Sequence, residues 1–104
     1  MSLEDPVVIT CSISGAIADR AQCPAIPYTP AEYAAEARRA VEEGAAMIHI
    51  HARDPETGAP SYAVEDFRAI TDAILEEVGD VIVNYSTGAI GTPTCASCAP
   101  TSRP

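Results

Sequence analysis

Ala46-Met47-Ile48-His49-Ile50-His51-Ala52-Arg53 is the stretch on which the fold turns. Met47, His49, His51 and Arg53 fall on one side of an extended backbone and Ile48 and Ile50 on the other, the period-two alternation of a strand. A helical pattern precedes it and another follows it, leaving no room for a hairpin, so this strand is predicted to run parallel to its neighbours in a βαβ arrangement. Upstream, Val7-Val8-Ile9-Thr10-Cys11-Ser12 is an apolar, β-branched run closed by a loop carrying Gly15, Pro24 and Pro27, and it reads as a buried first strand. Thr29-Pro30-Ala31-Glu32 then opens a helix with three concordant signals: Thr as N-cap, Pro in the first position, and Glu three residues after the cap. Tyr33, Ala34, Ala37, Ala40 and Val41 give this helix a small apolar face suited to lying close on a sheet. Glu32, Glu36, Arg39, Glu42 and Glu43 fall mostly opposite, and Gly44 ends it.

Downstream, the Pro- and Gly-containing loop of residues 54–60 leads to a second helix, in which Val64, Phe67, Ile70, Ile74, Leu75 and Val78 recur three or four apart. Its acids, Glu65, Asp66, Asp72, Glu76 and Glu77, read as a solvated face. Gly79-Asp80 closes the helix, and Val81-Ile82-Val83-Asn84-Tyr85 is predicted to be a third strand that ends at Ser86-Thr87-Gly88. Strand starts near residues 7, 46 and 81 are spaced a little wider than the ~31 residues per unit of a (β/α)8 barrel of ~250 residues. The expected fold is therefore α/β: the first three βα units of a (β/α)8 TIM barrel, with parallel strands and helices on one face, incomplete. Residues 1–91 are expected to form this N-terminal part of a barrel domain. Residues 92–104 lack large apolar side chains, periodicity and acids, and read as an irregular tail, non-native or disordered. Cys95-x-x-Cys98 lies there without a second pair, so neither a zinc ribbon nor a redox motif is expected of it.

The whole composition agrees with one soluble globular piece: 104 residues, 47% hydrophobic and 20% charged. The formal net charge is −9 and every basic residue is Arg, a surface that repels phosphate and excludes a nucleic-acid role. No apolar run approaches the ~20 residues of a membrane span, and Met1-Ser2-Leu3-Glu4-Asp5-Pro6 has no signal-peptide character, so the expected compartment is the cytoplasm, with no membrane partner. In that compartment Cys11, Cys23, Cys95 and Cys98 are expected to be reduced.

His49 and His51, the only histidines, share one strand face at the end where βα enzymes place their sites. Two neighbouring imidazoles can converge on one zinc ion, which takes neutral histidine nitrogen at ~2.0–2.1 Å and usually needs a third protein ligand. The competing reading is a hydrogen-bonded core pair. Arg53 and Asp54, at the strand's exit, are candidates for anion binding and for orienting a metal-holding histidine, or else for an ion pair at a loop. Ser86-Thr87-Gly88 offers hydroxyls and an accessible backbone N–H to an anionic group.

Together, Thr-Pro-x-Glu at Thr29, Glu-Glu-Gly-Ala at Glu42, His-Ile-His-Ala-Arg-Asp at His49, Gly-Ala-Pro-Ser at Gly58 and Ser-Thr-Gly at Ser86 resemble the N-terminal third of the β-keto acid cleavage enzymes, the 3-keto-5-aminohexanoate cleavage enzyme family. The resemblance covers nearly all of the chain except its tail. It implies a zinc-dependent (β/α)8 transferase that exchanges an acyl fragment between a β-keto acid and acetyl-CoA, giving acetoacetate and a new acyl-CoA, in a homo-oligomer. It also implies that His49 and His51 bind the zinc with a glutamate from a late strand, and that the zinc polarises the substrate's keto oxygen. Ser86, with Thr87 and Gly88, would hold the substrate's carboxylate or carbonyl, while the family's catalytic Arg and Asp lie downstream of this chain. One position departs from the pattern. Where the type member has Gly-Ala-Glu, whose glutamate reads a substrate amino group, this chain has Gly15-Ala16-Ile17, which implies an uncharged or apolar β-keto acid. Two other readings compete: a metal-dependent amidohydrolase, which also places His-x-His on a barrel strand, and a non-catalytic truncated remnant. As written, the chain is expected not to turn over substrate.

Overall fold

The structure, a computed structural model, describes residues 3–88. The expected tail at residues 92–104, with Cys95 and Cys98, lies outside the described residues. In chain order the elements are β1 (Thr10–Ser12), α1 (Pro30–Glu42), β2 (Met47–Ile50), α2 (Val64–Val78) and β3 (Ile82–Tyr85). All strand pairs are parallel, in the order β1-β2-β3 with β2 central. The α/β arrangement of parallel strands joined by helices is the one predicted from the His49 stretch.

Register fixes what each face carries. Cys11, Ile48 and Val83 form one row across the sheet, and Ser12, His49 and Asn84 form the next, so the two rows point to opposite faces. Ile48 and Ile50 are fully buried against Tyr33 and Ala37 of α1 and against Ile70 and Ile74 of α2. Ala37 belongs to this cluster, whereas Ala34, also buried, faces α2 beside Ala73. β3 is tied to α2 by Tyr85, whose ring lies 5.0 Å from that of Phe67 and whose hydroxyl meets Thr71 Oγ1 at 2.6 Å. The opposite face, with Ser12, Met47, His49, Ile82 and Asn84, carries no helix among the described residues.

The capping box at α1 is formed as read. Thr29 Oγ1 accepts from Glu32 N at 3.2 Å, and Glu32 Oε1 accepts from Thr29 N at 2.9 Å. Gly44, just past the helix, has φ +113°, a conformation a side chain disfavours. α2 starts differently: its N-cap Ala63 has no side-chain bond, and Ser61 Oγ accepts from Ala63 N while donating to Asp66.

Two expectations are corrected. The first strand is not buried: Val7, Val8 and Ile9 are exposed and precede β1, because β1 is an edge strand and helices cover only one of its faces. Ile9 still holds the register through its carbonyl, which accepts from Ala46 N and Met47 N. On α2, Val64 is 65% exposed and Leu75 41%. Both lie roughly a quarter-turn from Ile74, outside the stripe that meets the sheet.

Candidate functional site

Beyond their last paired residues the three strands continue toward one end of the sheet. Ile13 N donates to His49 O at 3.4 Å, and Ser86 N donates to Ile50 O at 2.9 Å, so the loops after β1 and β3 flank His51, which follows β2. This is the end at which parallel α/β sheets bind ligands, since loops there can converge without breaking the ladder.

His49 and His51 meet edge to face, with ring centroids 5.3 Å apart and ring planes at 85°. Two imidazoles bound to one tetrahedral ion at about 2 Å would have their centroids roughly 5 Å apart, and the spacing of this pair is compatible with that arrangement. Burial, then the neighbouring His49, push the His51 pKa below the ordinary imidazole value. Arg53 adds to this, and a backbone contact from Gly88 opposes it. The shift favours the neutral form of His51. Among the described residues no group of three His, Cys, Asp or Glu side chains is arranged as a ligand set.

The histidines are supported by residues that the sequence reading did not single out. His49 Nδ1 lies 2.6 Å from Asn84 Oδ1. The backbone of His51, past the end of the ladder, is held by side chains instead. Ser14 Oγ accepts from His51 N and donates to His51 O, both at 3.1 Å, and the Tyr33 hydroxyl donates to the same carbonyl at 2.6 Å. Ser14 is buried and Tyr33 fully so, and burial raises the tyrosine's pKa and keeps it a donor. One signal for Asn84 was available: it is the one polar side chain within the apolar run 81–85 that shares a face with His49. Nothing in the helical pattern distinguished Tyr33 from an ordinary apolar contact.

Arg53 and Asp54 are engaged elsewhere than expected. Arg53, only 3% exposed, donates from Nη1 to Gly58 O and from Nη2 to the carbonyls of Ser14, Gly15 and Ala18, at 2.7–3.1 Å. Its Nε is buried without a hydrogen-bond partner among the described residues. It therefore ties the β1–α1 loop to the β2–α2 loop, and its hydrogen bonds go to neither histidine and not to Asp54. Asp54 Oδ1 accepts from Glu56 N and Thr57 N, a turn-forming pattern that lowers its pKa.

The substrate-side candidates sit on the flanking loops. Ile17 is 78% exposed, between Gly15 and Ala18, whose carbonyls Arg53 holds. Ser86 Oγ accepts from Gly88 N at 3.1 Å, shaping the turn after β3, and Thr87 is exposed.

Comparison with known proteins follows the same residues. The chain matches the beta-keto acid cleavage enzyme family over residues 6–102, a span that includes most of the segment after Gly91. It is 39% identical over 88 residues to a 3-dehydrocarnitine:acetyl-CoA trimethylamine transferase of Rhizobium meliloti (strain 1021), covering 85% of this chain and 29% of that protein. It is 40% identical over 98 residues to a 3-keto-5-aminohexanoate cleavage enzyme of Fusobacterium nucleatum subsp. nucleatum, covering 93% of this chain and 36% of that protein. To a 3,5-dioxohexanoate:acetyl-CoA acetone transferase of Paraburkholderia graminis it is 39% identical over 93 residues, covering 89% and 29%. The chain thus spans about a third of the length of these relatives. With a family match running through almost its whole length, the chain belongs to the beta-keto acid cleavage enzymes.

Proposed function

We propose that the chain supplies the metal-binding and part of the substrate-binding face of a zinc-dependent β-keto acid:acetyl-CoA acyltransferase. In this reading β1, β2 and β3 are the opening strands of a (β/α)8 barrel, and the site lies on the C-terminal face of that barrel. The observation that carries the reading is the meeting of His49 and His51 at 5.3 Å at the end of β2, in a chain of this family. Family membership favours keto acid cleavage over the amidohydrolase alternative.

His49 and His51 would hold the zinc, with a third ligand from outside the described residues. When bound, zinc supplies Lewis-acid polarisation of a keto oxygen. Ser14 and Tyr33 hold the backbone of His51 in place before any ligand arrives. The loop after β3 would offer Ser86 and Thr87 to a carboxylate or carbonyl of the substrate, with the Gly88 N–H, which here donates to Ser86 Oγ, shaping that turn. Ile17, on the loop after β1, would present an aliphatic side chain where the family pattern has a glutamate, so a substrate ammonium there would lack a carboxylate partner. The preferred substrate is therefore an uncharged or apolar β-keto acid, with acetyl-CoA as co-substrate. Reaction in the cytoplasm by a homo-oligomer completes the reading. No helix of the described residues is long and apolar enough to cross a membrane.

Cobalt or zinc titration of the chain tests the metal site. His49→Ala and His51→Ala should each weaken binding at least tenfold, and unchanged binding in both would remove the metal reading. In a chain extended to the length of its relatives, acetoacetate release should depend on acetyl-CoA and fall together with metal occupancy. Ile17→Glu should move preference toward an amino-substituted keto acid. Amide hydrolysis by the extended chain would instead favour the amidohydrolase class.

A further inference from the structure

Asn84 lies directly opposite His49 in the β2–β3 register. Residues paired across parallel strands share a face and stand ~4.8 Å apart, so the 2.6 Å contact between Asn84 Oδ1 and His49 Nδ1 is set by the sheet itself, not by a loop. A carboxamide oxygen only accepts, so the shared hydrogen sits on Nδ1. A neutral imidazole carries one ring hydrogen, and with Nδ1 protonated the lone pair is left on Nε2. Were the amide reversed, its NH2 would donate to Nδ1 and put the hydrogen on Nε2, closing that atom to a metal. The sequence-adjacent candidates for this duty, Arg53 and Asp54, make their hydrogen bonds to loop backbone.

We infer that Asn84 is a positioning residue that selects the Nδ1–H tautomer of His49, leaving Nε2 as the atom offered to a ligand. That the ligand is a metal rests on the reading above, whereas the tautomer is a property of the metal-free chain.

The test is a 15N–1H correlation spectrum of the imidazole nitrogens of the 104-residue chain at about pH 8.5, two units above an ordinary histidine pKa. His49 in the wild type should carry its hydrogen on Nδ1. Asn84→Asp, which keeps an acceptor oxygen in place, should retain that tautomer. Asn84→Leu, similar in size but without an acceptor, should lose it in favour of the Nε2–H form that a free histidine side chain prefers. In cobalt titrations of the same proteins, Asn84→Leu should bind about tenfold to a hundredfold more weakly and Asn84→Asp should keep its affinity. An Nε2–H tautomer in the wild type overturns the inference. So does an Nδ1–H tautomer that persists in Asn84→Leu. If Asn84→Leu fails to fold by circular dichroism, the wild type and Asn84→Asp still decide: both must show Nδ1–H, and either one showing Nε2–H overturns it. A wild type with the Nδ1–H tautomer that binds no cobalt would remove the metal reading and leave this inference standing. Cobalt binding that is indifferent to Asn84→Leu would do the reverse.

Discussion

The guanidinium of Arg53 is a buried cation whose four hydrogen bonds all end on carbonyl oxygens of two loops. Carbonyl dipoles disperse its charge without a carboxylate, and the forked shape of the group reaches both loops at once. Removing it leaves four carbonyls to find new donors, so Arg53→Met should destabilise the chain by on the order of 3 kcal/mol in urea denaturation. Arg53→Lys should recover only part of this, because a point-like ammonium cannot span the same acceptors. Tyr33→Phe is a milder change. The His51 carbonyl keeps its bond from Ser14, so the loss should be about 1 kcal/mol, read in the same way. Gly58 is constrained twice over: its φ is +77°, and a Cβ there would lie 2.1 Å from the ring of Tyr28, which also carries Arg20 at 4.0 Å. Gly58→Ala should therefore cost roughly 1–3 kcal/mol, with loop movement visible as changed shifts of Tyr28 and Arg53 in NMR spectra.

At the scale of the element, the start of α1 is the most heavily determined part of the chain. The Thr29 backbone N–H, then the Arg20 side chain, lower the pKa of Glu32 from 4.5 to about 2, and Arg20 Nη2 touches both carboxylate oxygens at 2.6 Å. A carboxylate with a depressed folded-state pKa stabilises the fold at pH values above its unfolded pKa, and that contribution is lost as pH falls from about 4.5 toward 2. The Arg20 and Glu32 side chains are 39% and 43% exposed, so solvent screens the pair and the contribution is held to about 1 kcal/mol. Thermal melts at pH 7 and pH 2 should therefore differ less in Glu32→Gln than in the wild type, by roughly that amount. An equal pH dependence in the two proteins would show that the carboxylate's contribution to the cap is negligible. Thr29→Ala should cost about 1 kcal/mol at pH 7, because Glu32 N loses its acceptor.

Across the described residues, one face of the sheet is closed by α1 and α2 and the other carries no helix. Ile82 stands exposed on that second face, Val7, Val8 and Ile9 lie exposed just ahead of β1, and among the described residues β1 and β3 are the edge strands of the sheet. Such edges and apolar surfaces favour association. The chain should therefore show concentration-dependent self-association in analytical ultracentrifugation. A paired substitution, Val8→Lys with Ile82→Lys, should reduce it without changing the helical circular dichroism signal. A strictly monomeric wild type at high concentration would contradict this.

Much of this was legible in the chain of residues. The alternation around His49, the capping signals at Thr29 and Pro30, and the glycines after each helix set the βαβαβ order and the parallel sheet, because periodicity and caps are local properties that neighbours in sequence decide. The same alternation put Met47 and His49 on the face opposite Ile48 and Ile50. Three features came only with the tertiary structure. The exposure of Val7 and Val8 depends on which strand is at an edge, and no local pattern encodes that. Arg53 looked like a site residue by its place in the motif, yet its partners are carbonyls 5 to 39 positions away in sequence, brought within reach only when the loops fold over it. Ser14, Tyr33 and Asn84 support the two histidines across 18 to 37 positions, through hydrogen bonds whose geometry exists only once strands and helices have packed.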